Sequence, residues 1–133
     1  MTAADGLLDT SVIVALESLQ LLAVDLLPDR QHVSVITLAE LWVGVLAAGD
    51  TETRARRIQT VDSYSALPAL PANEDAARHW ARLRYRLAEN GRRINVNDLW
   101  IASIALAHDL PLVTQDHDFD ALEGLGGPEI IRV

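Results

Sequence analysis

The chain has 133 residues, half of them apolar, enough to bury about two-thirds of its unfolded surface, and it reads as a single domain over residues 1–133. It has no cysteine, which excludes disulfides, thiolate zinc sites and cysteine nucleophiles, and no segment reaches the roughly 18 apolar residues of a membrane span. The net charge of −8 opposes nucleic-acid binding when taken whole, but residues 54–93 hold nine arginines against four acids, a local excess of +5 that leaves −13 elsewhere.

In chain order, Gly6-Leu7-Leu8-Asp9 reads as a short buried strand, with Thr10 and Ser11 as cap candidates for a helix through Glu17. A second apolar helix is expected over Leu19 to Leu27, stopped by Pro28. His32 to Ile36 reads as a β-branched strand, and Thr37 opens a helix reaching Ala48, with Gly49 as its left-handed stop. A polar helix follows from about Asp50 to Ser65, and the prolines in Leu67 to Pro71 allow only a short edge strand.

From Asn73 to Asn90 the apolar spacing is helical, with Gly91 as terminator, and Val96 to His108 forms a strongly apolar helix. Leu110 to Thr114 and Ile130 to Val133 complete the strands, separated by an acidic turn from Gln115 to Leu122. Strands alternating with helices predict an α/β fold of three layers, α/β/α, around a parallel sheet of four to five strands.

Asp9, Glu40, Asp98 and Asp116 each fall where a short apolar run gives way to a helical pattern. In such a sheet the crevice beyond the carboxyl ends of the strands is where ligands bind, so these acids can converge there. Converging carboxylates repel one another unless cations hold them, and oxygen ligands suit Mg²⁺, with Mn²⁺ as a substitute. Each acid also has a local structural reading. Asp9 and Asp98 sit where a carboxylate caps or faces a helix dipole, Thr37 to Glu40 has the form of a capping box, and Asp116 suits a turn. Four capping accidents on one sheet edge are the poorer account.

Gly6 to Leu16 (GLLDTSVIVAL), Val33 to Leu41 (VSVITLAEL), Asn97 to His108 (NDLWIASIALAH) and Leu112 to Asp120 (LVTQDHDFD) resemble, in order, the signatures of PIN-domain ribonucleases, and within them the VapC-type toxins of bacterial toxin–antitoxin pairs. The resemblance implies that Asp9, Glu40, Asp98 and Asp116 are both the metal-binding and the catalytic quartet of a Mg²⁺-dependent endoribonuclease. It implies cleavage of RNA phosphodiester bonds to 5′-phosphate and 3′-hydroxyl ends. It further implies a cognate antitoxin protein that occludes the site, a homodimer, a toxin–antitoxin hetero-oligomer, and a cytoplasmic protein with no membrane association.

The alternative from another class is a catalytically silent PIN-like binding or regulatory module, which loss of a quartet member would mark; none is lost. A phosphatase of the haloacid dehalogenase type wants a second carboxylate two residues after Asp9, where Ser11 stands. A receiver domain wants a late lysine, and the chain has none. His117, between Asp116 and Asp118, reads as a surface residue, Trp42, Trp80 and Trp100 as packing residues, and the arginine face from Arg78 to Arg86 as a solvated helix face.

Overall fold

The computed structural model describes residues 3–20 and 22–133. Four strands, β1 (Asp5–Leu8), β2 (Arg30–His32), β3 (Leu112–Thr114) and β4 (Ile130–Arg132), form one sheet in the order β2-β1-β3-β4. All pairings are parallel, with Leu7 opposite both His32 and Leu112 and Val113 opposite Ile131. Gly6 is fixed by a close approach: a Cβ there would lie 2.9 Å from Pro28 Cγ and 3.1 Å from Val113 Cγ2.

Five helices cover the sheet: α1 (Thr10–Glu17), α2 (Val35–Leu46), α3 (Thr51–Ser63), α4 (Glu74–Glu89) and α5 (Val96–Ala107). The period-2 alternation of the central strands separates two cores. Leu7 and Leu112 pack with Leu83 and Leu87 of α4 and Leu99, Ile101 and Ile104 of α5. Leu8 and Val113 turn the other way, onto Val12 and Ile13 of α1, Leu41 and Val45 of α2 and Val61 of α3. The three-layer expectation therefore holds, with four strands.

Several local expectations are corrected. The apolar helix over Leu19 to Leu27 does not form; the described part holds one 3₁₀ turn, Val24–Leu26, and Leu21 lies outside the described residues. Leu19 takes a left-handed backbone (φ 56°), which ends α1, and its side chain is 91% exposed, so continued helix would have buried little there. The strand expected through Ile36 stops at His32. Ser34 caps α2, its Oγ accepting the Thr37 N–H at 3.1 Å, so the cap outweighs the β-preference of Val35 and Ile36 and winds them into the first turn. The edge strand near Leu70 shrinks to a single bridge with Ser34. Gly49 is not left-handed: α2 ends at Leu46, and Asp50 caps α3 by accepting the Thr53 N–H at 2.7 Å. Gly91 does take a positive φ of 63° after α4, as expected.

Candidate active site

The sheet order reverses between β1 and β3, and the crevice beyond their carboxyl ends is the topological switch point. Asp9 follows β1 directly, and Asp116 lies just past β3. Glu40 comes from the middle of α2 and Asp98 from the first turn of α5.

Asp9 is 3% exposed. Its main-chain N–H donates to Val113 O at 2.8 Å, tying it to β3, and its Oδ2 accepts hydrogen bonds from Ser11 Oγ at 2.7 Å and Thr114 Oγ1 at 3.0 Å. Asp9 occupies the cap position of α1, yet its carboxylate makes no capping bond, and Thr10 and Ser11 lie inside the helix rather than capping it. Burial pushes the Asp9 carboxyl above its ordinary pKa and the charge of Asp116 adds to this, while the two hydroxyl hydrogen bonds oppose it. Thr114 Oγ1 also accepts the Asp116 N–H at 3.0 Å, so one hydroxyl positions two acids.

Glu40 is no capping-box residue. The cap of α2 is Ser34, three residues earlier than expected, which leaves Glu40 in mid-helix. Its Oε1 accepts a hydrogen bond from Thr10 Oγ1 at 2.7 Å, and Thr10 also lies 3.0 Å from Thr37 Oγ1, joining α2 to the start of α1.

Asp98 decides the electrostatic question. In the first turn of α5 the helix dipole favours its ionised form by about 0.3–1 kcal/mol. Its pKa nevertheless rises from 3.8 to about 7, first through burial and then through the charges of Asp9, Asp118, Glu40 and Asp116. Burial and the four neighbouring charges together outweigh the dipole, so Asp98 sits in a partly buried acidic neighbourhood in which its ionised form is disfavoured. The quartet is thereby brought into one electrostatic neighbourhood, together with Asp118, which the sequence reading passed over. Its signal was present as a second acid two residues after Asp116, at the start of the 3₁₀ segment Asp118–Leu122.

His117 stays outside the cluster; its side chain is 79% exposed and its Nδ1 lies 3.2 Å from Asp120 Oδ2. Arg132 of β4 fastens the same turn, donating to the Asp116 carbonyl and, at 2.7 Å, to Asp120 Oδ1. Trp80 and Trp100 stack on each other, centroids 5.3 Å apart, whereas Trp42 is exposed.

An all-oxygen donor set with an acid kept protonated to about pH 7 fits a hard divalent cation, whose charge would balance the cluster. Among the described residues no three carboxylates or imidazoles are already drawn together tightly enough to cage an ion.

Fold and site together define a small three-layer α/β domain with acidic residues gathered at its switch point. The chain belongs to the PIN domain family, whose profile matches residues 6–125. It is 55% identical over 132 residues to Ribonuclease VapC5 of Mycobacterium tuberculosis, covering 99% of this chain and 98% of that one. Ribonuclease VapC4 of the same organism is 38% identical over 122 residues, covering 88% and 90%. Among solved structures, a member of the VapBC family of toxin–antitoxin systems, VapBC-5 from M. tuberculosis, superposes with a TM-score of 0.88 at 54% identity over 98% of this chain and 99% of that chain. DNA-bound VapBC from Salmonella typhimurium gives a TM-score of 0.79 at 25% identity over 98% of each.

Proposed function

We propose that this PIN-domain chain is a Mg²⁺-dependent endoribonuclease and the toxin of a toxin–antitoxin pair. The observation that carries the reading is the placement of Asp9 and Asp116 beyond the carboxyl ends of β1 and β3, joined through the Thr114 hydroxyl, with Asp98 close enough for their charges to raise its pKa. Strong relatives named as ribonucleases, spanning nearly the whole chain, support it.

Asp9, Asp98 and Asp116 would hold the principal ion, with Mn²⁺ as a substitute. A bound divalent ion makes its water more acidic and neutralises the phosphate oxygens. The chain's own residues do the positioning. Ser11 and Thr114 fix the Asp9 carboxylate through Oδ2, leaving Oδ1 for the cleft. Thr10 holds Glu40 through Oε1, leaving its other oxygen to orient the attacking water or a second ion. Thr114 and Arg132 set the turn that presents Asp116.

The partners that follow from the reading are RNA as substrate and an antitoxin that covers the acidic cleft, a pairing supported by the likeness to VapBC-5. A homodimer and a toxin–antitoxin hetero-oligomer fit the apolar residues Trp42, Val43 and Leu46 exposed on α2. A cytoplasmic location follows from the proposed pairing with an antitoxin; among the described residues no helix is long and apolar enough to cross a membrane. The test is cleavage of single-stranded or loop RNA with Mg²⁺ and with excess chelator. Cleavage that persists undiminished in chelator refutes the metal-dependent reading.

A further inference from the structure

The six arginines from Arg78 to Arg93 differ in their partners. Arg82 and Arg86 are tied down: Arg86 Nη1 donates to Leu125 O at 2.8 Å, and Arg82 donates to Leu125 O and Gly126 O. Arg78 pairs with Glu74 and Asp75. Arg84 and Arg93, in contrast, are exposed and make no side-chain hydrogen bond or ion pair among the described residues.

Both line a cleft of about 610 Å³ between the end of α4, the turn at Gly91 and the first turn of α5. Arg92 supplies a third guanidinium, anchored by donating to the Glu123 carbonyl at 2.7 Å. No carboxylate lines this cleft, although the chain carries a net charge of −8. Ile94, Val96 and Leu99 give it an apolar wall. Val96 and Leu99 stand two residues before and one residue after Asp98, so the cleft and the acidic site share the first turn of α5.

From this geometry we infer a nucleotide subsite: the cleft receives single-stranded RNA next to the cleaved bond, Arg84 and Arg93 contacting its phosphates and Ile94 and Val96 the base. The inference rests on the ribonuclease reading for its substrate. Guanidiniums bind phosphate oxygens in a planar fork and lay their faces against bases, and single-stranded RNA offers both groups unpaired. RNA suits this cleft better than a protein segment, because three cations without an acid complement a polyanion and no aromatic anchor is present.

The test is binding of a short fluorescent single-stranded RNA to the full chain in chelator, over a range of salt concentrations. Arg84→Ala/Arg93→Ala should lower affinity about tenfold or more, and lost phosphate contacts should flatten the salt slope by about 0.7 for each. Ala88→Trp, which fills the cleft without removing charge, should also weaken binding; Arg78→Ala, which removes one positive charge elsewhere, should leave it unchanged. Affinity unchanged in the double variant or in Ala88→Trp, an equal loss in Arg78→Ala, or no measurable binding by the parent overturns the subsite. Cleavage is scored separately with Mg²⁺. A parent that cleaves RNA without showing the cleft effect overturns the subsite alone, and a parent that shows the effect but never cleaves overturns the ribonuclease reading alone.

Discussion

Asp98→Asn offers the sharpest examination of the acidic site, because it removes charge while nearly preserving shape. In metal-free protein the Asp98 carboxyl titrates at about 7 instead of 3.8. Well below pH 3.8 it is protonated in folded and unfolded chains alike and has no effect on stability. As pH rises from 4 to 7 the unfolded chain releases this proton and the folded chain keeps it, so the parent loses stability across that window. At about 1.36 kcal/mol per unit, full desolvation would set the loss near 4 kcal/mol; because Asp98 is partly exposed, water and salt reduce it to on the order of 1–2 kcal/mol. Asp98→Asn should therefore match the parent near pH 3 in chelator and melt higher at pH 8, by about 3–8 °C for a chain of this length. Mg²⁺ should reverse the order, adding about 2.7 kcal/mol to the parent at a hundredfold excess over its Kd and much less to the variant. Melting curves of both proteins at the two pH values, with chelator and with Mg²⁺, provide the check. A variant less stable than the parent at pH 8 in chelator, yet gaining the same Mg²⁺ stabilisation, would make Asp98 a helix-dipole partner and refute the cluster argument.

Asp9→Asn and Asp98→Asn should each reduce RNA cleavage below a few per cent of the parent while circular dichroism shows the fold intact; substantial turnover in both would move the active site elsewhere. Glu40→Gln keeps an oxygen for the Thr10 hydroxyl and removes one charge from the cluster, so in chelator it should cost no more than about 1 kcal/mol of stability, yet it should impair cleavage strongly. Arg86→Ala should destabilise the protein by about 1 kcal/mol through loss of its bond to the Leu125 carbonyl, with RNA affinity unaltered. At low fixed Mg²⁺, cleavage should fall as pH drops below about 7, because a proton on Asp98 competes with the ion, and added Mg²⁺ should restore it.

Much of this architecture was legible because it is written in local pattern. Leu7-Leu8 and Leu112-Val113 are apolar on both sides, as a doubly covered parallel strand requires, and each is followed by an acid that the topology brings to the switch point. Asp50 and Asn73 sit before polar helices and cap them. What escaped the reading depends on partners distant in sequence. Ser34 looks like part of a strand until its hydroxyl meets the Thr37 N–H, and moving the cap also moves Glu40 out of any capping role. Leu19 to Leu27 is apolar enough for a helix, but a left-handed Leu19 ends the one before it. The helix face from Arg78 to Arg86 reads as uniformly solvated because spacing alone cannot show that Arg82 and Arg86 reach carbonyls some 40 residues away, at separations of 43 and 39.

The hydroxyl of Thr114 meets the carboxylate of Asp9 across a separation of 105 residues. That one bond carries a temporal consequence. Strands β1 and β3 are neighbours in space, but most of the chain is made between them, so a growing polypeptide can exhibit Asp9, Glu40 and even Asp98 before the hydroxyl that fixes Asp9 and the acid beyond it, Asp116, are in place. Closing so long a loop is among the slower events in folding. A ribosome translating this message therefore carries an inert fragment for most of the synthesis, and the hazard to surrounding RNA arises only once β3 has slotted in beside β1, late enough for an inhibitor already present to be waiting.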